Sequence, residues 1–304
     1  MQFCGRTLQF GERSRLVRAN FLVYGNRAAL GEAKIKQSAT QKLIAQFPLC
    51  CFCGGLRPST TREHMPPKAL FDNSHRPDCL VMPACDQCNR STSLADLTTS
   101  VISRWSYPEN PKAREDHRKL VKAVRENHPE LADEWAAVAN PIDQLRSRFH
   151  LENQGVPVPP EARMVSIGPL TIRNLNLFAH KATLALYFEH FRRPLPNTGC
   201  LCAFWRTKED VAAAGVPKIV LDIMTRYATL EQGAWNERDT FEYRYELNQD
   251  NGLFAFMAKL RNTLYVIGFA ATDSGVIPEH DKHDWMRPQD LLDILDDPKF
   301  LKRL

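Results

Sequence analysis

Hydrophobic and polar positions along the chain predict two zones of regular structure separated by a polar, charged stretch. Leu43, Ile44 and Phe47 fall on one face of a short helix over 38–46, with Ser38 or Thr40 as its cap and Pro48 as its stop. Leu94, Leu97, Val101 and Ile102 repeat the helical spacing from Thr92 onward. A longer helix is predicted over 172–191, with Leu177, Leu184, Phe188 and Phe191 along one stripe. Four strands follow, over 199–206, 240–247, 253–260 and 264–271. In the second of them Phe241, Tyr243, Tyr245 and Leu247 alternate with Glu242, Arg244 and Glu246, the pattern of a half-buried antiparallel strand. Asp250-Asn251-Gly252 and Arg261-Asn262 supply the turns between the later strands.

These elements divide the chain into a basic extension over 1–35, a cysteine-rich module over 36–105, a charged helical segment over 106–154, a linker over 155–165, an α+β domain over 166–280 and a helical tail over 281–304. The linker rests on the run GVPVPPE at 155–161, three prolines and a glycine in seven residues. The face of the charged segment that carries Lys112, Arg114, Arg118, Lys119, Lys122 and Arg125 reads first as a solvated helix surface.

Composition adds constraints. In 304 residues, 43% are hydrophobic and 25% charged, which is ordinary for a globular chain that buries a core. No apolar run reaches the ~18–20 residues of a membrane-spanning helix. Arg6, Arg13, Arg15, Arg18 and Arg27 break the first thirty residues, so no secretory leader is expected and the chain reads as cytoplasmic. A net charge of +5 permits an anionic partner without demanding one. The eight Lys or Arg before Cys50, against only Glu12 and Glu32, make the amino-terminal extension locally basic.

The nine cysteines are informative through their placement. Six lie between Cys50 and Cys88, and two pairs, Cys50-x-x-Cys53 and Cys85-x-x-Cys88, have the spacing of metal knuckles. Two such knuckles close a tetrahedral four-sulfur shell, and a shell without an open position makes the expected zinc structural. Cys51 could compete through Cys51-x-Cys53, although the two-residue spacing favours Cys50. Between the knuckles lies Thr61-Arg62-Glu63-His64-Met65-Pro66-Pro67-Lys68, and Asn89 follows the last cysteine.

This arrangement resembles the HNH endonucleases, specifically the branch built as CxxC, an acidic residue plus His, then CxxC followed by Asn or His, with "EH-x-PPK" and Ala-Leu-Phe over Glu63 to Phe71. The resemblance covers residues 50–100. It implies a ββα-metal fold, a hairpin packed on a helix with zinc between them, here followed by the second α+β domain with an antiparallel sheet. It further implies His64 as the general base toward water, with Glu63 and Asn89 holding a catalytic Mg²⁺ or Mn²⁺ and DNA as substrate. Arg62, Lys68 and Arg90 are the candidate phosphate contacts. A middle Asn that in many such modules orients the histidine is not evident before Cys85, and Asp78, Asn73 or a backbone carbonyl are its candidate substitutes. Glu63 stands where Asp is commoner.

The chemistry is coherent with those roles. Phosphodiester hydrolysis needs an activated water, charge to stabilise the anionic transition state, and help for the leaving oxygen. An imidazole is a suitable base near neutral pH. On this reading the carboxy-terminal domain supplies target recognition, a protein-partner surface or regulation, as in mobile-element, phage or defence nucleases. The alternative is a non-catalytic zinc module that grips nucleic acid or protein. Convergence of Glu63 or His64 with Asn89 on one exposed spot separates the two.

Overall fold

The computed structural model describes residues 37–105, 111–136, 166–216, 218–232, 235–278 and 284–301. The basic extension over 1–35 and the GVPVPPE linker lie outside the described residues. What is described is a mixed α+β structure with an antiparallel sheet and a cysteine cluster.

The chain enters through α1 (Ala39–Gln46), where Ser38 and Gln41 form a reciprocal capping box, the side chain of each accepting from the other's backbone N–H. Two short strands, β1 (Thr61–His64) and β2 (Val81–Ala84), pair antiparallel with Glu63 opposite Met82 and His64 opposite Val81. Helices α2 (Asp86–Ser91) and α3 (Ser93–Ile102) follow directly. Leu94 and Leu97 are only half-buried, and the fully covered side of α3 carries Ala95, Thr98, Thr99 and Ser100. Small side chains there let α3 lie close against its neighbour.

In α4 (Pro111–Asn127) the charged residues form i,i+4 pairs such as Lys119–Glu115 at 2.8 Å, while Ala113 and Val124 face inward. That is the solvated helix surface its charge pattern predicts. Helix α5 (Pro129–Ala136) has a specific task. The carboxylate of Glu134 accepts the backbone N–H groups of Gly168, Leu170 and Thr171 at 3.1, 2.8 and 2.9 Å, as well as the Thr171 hydroxyl. These are the orphan donors at the start of α6 (Pro169–Phe191), whose own N-cap, Gly168, has no side chain to serve them. The indole N–H of Trp135 donates to the same Thr171 hydroxyl at 2.8 Å. Glu134→Ala is expected to cost about 2 kcal/mol, measured as a lower urea midpoint with unchanged slope. An unchanged midpoint would remove Glu134 from this role.

Helix α6 is the centre of the molecule. It is buried from Thr171 to Phe188 almost without interruption, so its apolar residues surround it instead of forming a single stripe. One side lies on the sheet formed by β3 (Cys200–Thr207), β4 (Arg226–Thr229), β7 (Phe241–Asn248), β8 (Leu253–Leu260) and β9 (Leu264–Ala271), in the order β3-β9-β8-β7-β4. The other side packs on α3 and the first cysteine knuckle. A continuous apolar core therefore runs from Cys50 and Phe52 through Leu177, Leu184 and Phe188 to Phe256 and Val266. All pairs in the large sheet are antiparallel. The short α7 (Lys208–Ala214), α8 (Lys218–Ile223) and the minor pair β5 (Glu231–Gln232) and β6 (Trp235–Asn236) decorate it. Residues 284–301 return along β3 through a bridge between Leu201 and Met286, then form 3₁₀ turns at Pro288–Leu295 and Pro298–Leu301. None of the helices among the described residues is long and apolar enough to cross a membrane.

Polar groups on α6 are matched across this core. Trp205 donates to the Asn176 carbonyl at 3.0 Å, and the Asn176 amide donates to the Phe300 carbonyl at 2.9 Å. His180 is fully buried, with Nδ1 2.8 Å from the Asn176 backbone oxygen, and burial pushes its pKa down to about 4. His190, stacked on Tyr245, is likewise lowered to about 4, chiefly by burial. Both are neutral in the folded chain, whereas the unfolded chain takes up these protons near pH 6.5. Stability is therefore full above about pH 6.5 and falls as the pH drops toward 4, by roughly 2–3 kcal/mol per histidine. Urea unfolding at pH 7 and 4.5 should show this loss in the wild type and a smaller one in His180→Gln; equal losses would contradict it.

Candidate functional site: a four-cysteine cluster and the strand beside it

The sulfurs of Cys50, Cys53, Cys85 and Cys88 all lie within 4.8 Å of one another, and all four residues are buried. The first knuckle is a single 3₁₀ turn over Cys51–Cys53, with the Phe52 N–H directed at the Cys50 sulfur at 3.4 Å. Gly54 and Gly55 reverse the chain at φ +63° and +78°, and a Cβ on Gly54 would stand 2.1 Å from the Asn197 side-chain oxygen. In the second knuckle Cys85 caps α2, its sulfur accepting from the Cys88 N–H at 3.4 Å. These N–H···S contacts favour thiolates, and four soft sulfurs at this separation fit a metal ion such as zinc. Hydrogen bonds among the sulfurs divide their protons unevenly: contacts with Cys50 and Cys53 push the Cys88 thiol far above its ordinary range, and contacts with Cys50 and Cys88 hold Cys53 far below it. Cys51 lies outside the cluster. It is wholly buried, and burial raises its pKa well above that of a free thiol, so it packs as a small apolar side chain.

Alternation along β1 sends Glu63 and His64 to opposite faces. Thr61 shares the face of Glu63, and Asn89 on α2 donates its amide to the Thr61 hydroxyl at 3.0 Å. Asn89 is thus held against β1, two residues from Glu63. The Glu63 carboxylate accepts from Lys181 of α6 at 2.7 Å, and the same ammonium reaches Asp96 of α3 at 2.6 Å. Lys181 is fully buried, and its nitrogen lies 5.6 Å from the centre of the Phe52 ring. Burial pushes Asp96 up to about 7, Lys181 opposes that shift and Glu63 adds to it. Lys181 itself is held above its usual value; burial acts against the charge, and the two carboxylates outweigh it.

His64 sits at the end of β1, before a cis Met65–Pro66 peptide. Its Nε2 is buried and lies 3.6 Å from the Asp78 carboxylate, longer than a hydrogen bond. Asp78 is therefore the one of the two substitute orienting residues that the fold brings to the histidine; the Asn73 backbone N–H instead donates to Asp116 at 2.7 Å. Burial, then the charges of Arg76, Lys68 and Arg62, lower the His64 pKa to about 4. Lys68 and Arg62 are thus electrostatic neighbours of the histidine. Arg90 is turned to its own helix, paired with Asp86 at 2.9 Å.

Three residues of this region escape a reading of the sequence alone. Lys181 and Asp96 are far from Glu63 in sequence, although a lone lysine inside Leu177-Phe178-Ala179-His180-Lys181-Ala182 is a signal of a buried partner. Arg76, buried and donating to the Cys79 carbonyl at 2.7 Å, lies on the Phe71 ring at 5.5 Å. The loop after β1 is further fixed by Asp72, which takes Arg104, in the turn just after α3, and Arg261 of the β8–β9 turn, each at 2.6 Å.

No protein-family model, curated protein or solved structure matches this chain.

Proposed function

We propose that residues 50–100 form an HNH-type nuclease module, with zinc on Cys50, Cys53, Cys85 and Cys88, and that the chain hydrolyses phosphodiester bonds of DNA. The observation that carries this reading is the hairpin of β1 and β2, tied by the four sulfurs to α2, with Asn89 of that helix against the Thr61 and Glu63 face of β1 and His64 on the other face of the same strand, so that only Glu63 and Asn89 share a face. A cysteine cluster alone would not call for those three residues. The metal implied at the four sulfurs is structural, since four protein ligands leave it no position for substrate.

As general base His64 accepts a proton from the attacking water. Its depressed pKa keeps it neutral at pH 7, and the Asp78 carboxylate, 3.6 Å from its Nε2, is the acidic group that faces it. Arg62, Lys68 and Arg76 place positive charge around it, where the anionic phosphorane-like transition state would form. Arg90, paired with Asp86, is the weakest of the phosphate candidates. Glu63 as it stands does not fit a divalent Mg²⁺ or Mn²⁺, because one of its oxygens accepts from the Lys181 ammonium; Asn89 donates its amide nitrogen to Thr61, a bond that leaves its amide oxygen for a cation. The chemistry above therefore uses only the chain's own side chains.

The same Lys181 contact favours a second reading, a zinc module that binds nucleic acid without cutting it. Incubation with end-labelled duplex DNA distinguishes the two. The nuclease reading expects products ending in 5′-phosphate and 3′-hydroxyl, as water attacks phosphorus and the 3′ oxygen leaves. Retention of duplex without cleavage would favour the binding module.

A further inference from the structure

Glu63 and Asp96 come from different elements, β1 and α3, and their side chains are only 13% and 12% exposed. Two carboxylates this close and this dry repel each other, and a cation between them offsets that repulsion. Here the cation is the ammonium of Lys181, 2.7 Å from one and 2.6 Å from the other, on a side chain with no exposed surface. One positive charge faces two carboxylates. The second oxygen of Asp96 is buried and has no hydrogen-bond partner. A buried carboxylate oxygen without a donor, beside an acidic neighbour, gains from taking up positive charge, either a proton or a hard cation.

We propose that Lys181 is a built-in competitor for a divalent cation at Glu63 and Asp96: the helix α6 supplies an internal cation that keeps an ion from the strand beside His64. The proposal rests on the reading of Glu63 as an ion-binding carboxylate. The competing charge thus comes from the carboxy-terminal part of the chain, through the helix that joins the cysteine module to the five-stranded sheet.

The probe is Mn²⁺ alone, added to zinc-loaded full-length protein and followed by the loss of the free-ion electron paramagnetic resonance signal. The wild type should bind no stoichiometric Mn²⁺ at submillimolar concentration. Lys181→Met should bind one ion per chain at least ~10-fold more tightly, and adding Glu63→Gln should abolish the gain. Because two bare carboxylates could unfold the single variant, Lys181→Met with Asp96→Asn is measured beside it. That pair restores the net charge of the cluster and leaves Glu63 free, so it too should bind more tightly than the wild type. Stoichiometric Mn²⁺ binding by the wild type that Glu63→Gln removes would overturn the proposal, as would a folded double variant that binds no better than the wild type. The readout does not depend on cleavage. A Mn²⁺ gain in a chain that cuts nothing would retain the competitor and reject the nuclease; cleavage without the gain would do the reverse.

Discussion

Replacing Cys88 with serine should abolish stoichiometric zinc and unfold more than the module that contains it. Structural zinc sites contribute apparent free energies on the order of 10 kcal/mol, comparable with the whole net stability of a domain. Here the four sulfurs hold the first knuckle, the end of β2 and the start of α2 together, beside strands β1 and β2 of only four residues each. The first knuckle also packs against α6, and the core is continuous from Phe52 to Phe256. Loss of the metal should therefore lower the thermal midpoint of the entire chain in one cooperative transition. Circular dichroism melting with zinc quantified by atomic absorption checks this. Retention of one zinc and a midpoint within about 2 °C of the wild type would remove Cys88 from the site. Cys51→Ser, outside the cluster, should leave the zinc stoichiometry intact.

His64→Ala should reduce cleavage by ~10²- to 10⁴-fold while leaving zinc content and folding unchanged. The direction of its pKa shift sharpens the expectation. Burial and the charges of Arg76, Lys68 and Arg62 bring it to about 4, so the base is deprotonated throughout the range where an ordinary histidine would titrate. The rate should be insensitive to this group between about pH 5 and 7 and should fall only as pH drops through about 4. A limb centred near 6.5 would mean that the ring is more solvated than its environment implies. Asp78→Asn should move the limb further down, since the Asp78 charge is what opposes the other three.

Much of the fold could be read from local pattern, for identifiable reasons. The four main strands alternate or run apolar over eight residues each, long enough for the period-two signal to emerge. Strand β4 does not: Arg226–Thr229 is four residues on the sheet edge, with Arg226 and Tyr227 exposed and a single neighbouring strand. Helix α6 was visible as a helix, but its stripe was too narrow a description, because it is covered on both sides by layers drawn from opposite ends of the chain. The four cysteines were legible because metal-ligand spacing is local within each knuckle. The environment of Glu63 was not, since Lys181 is 118 positions away and Asp96 contributes from a helix whose visible apolar pattern pointed elsewhere. Long-range electrostatic pairing leaves little trace in periodicity, and it is what decides whether Glu63 can face an ion.

The most direct test of the nuclease reading is cleavage of supercoiled plasmid by zinc-loaded wild type, His64→Ala, and Lys181→Met with Asp96→Asn, in buffer with Mg²⁺ or Mn²⁺. Nicked or linear product from the wild type, more from the Lys181 variant, and none from a folded, zinc-retaining His64→Ala chain is the expected result. No product from the wild type or the Lys181 variant on DNA or RNA, or undiminished cleavage by His64→Ala, would contradict it.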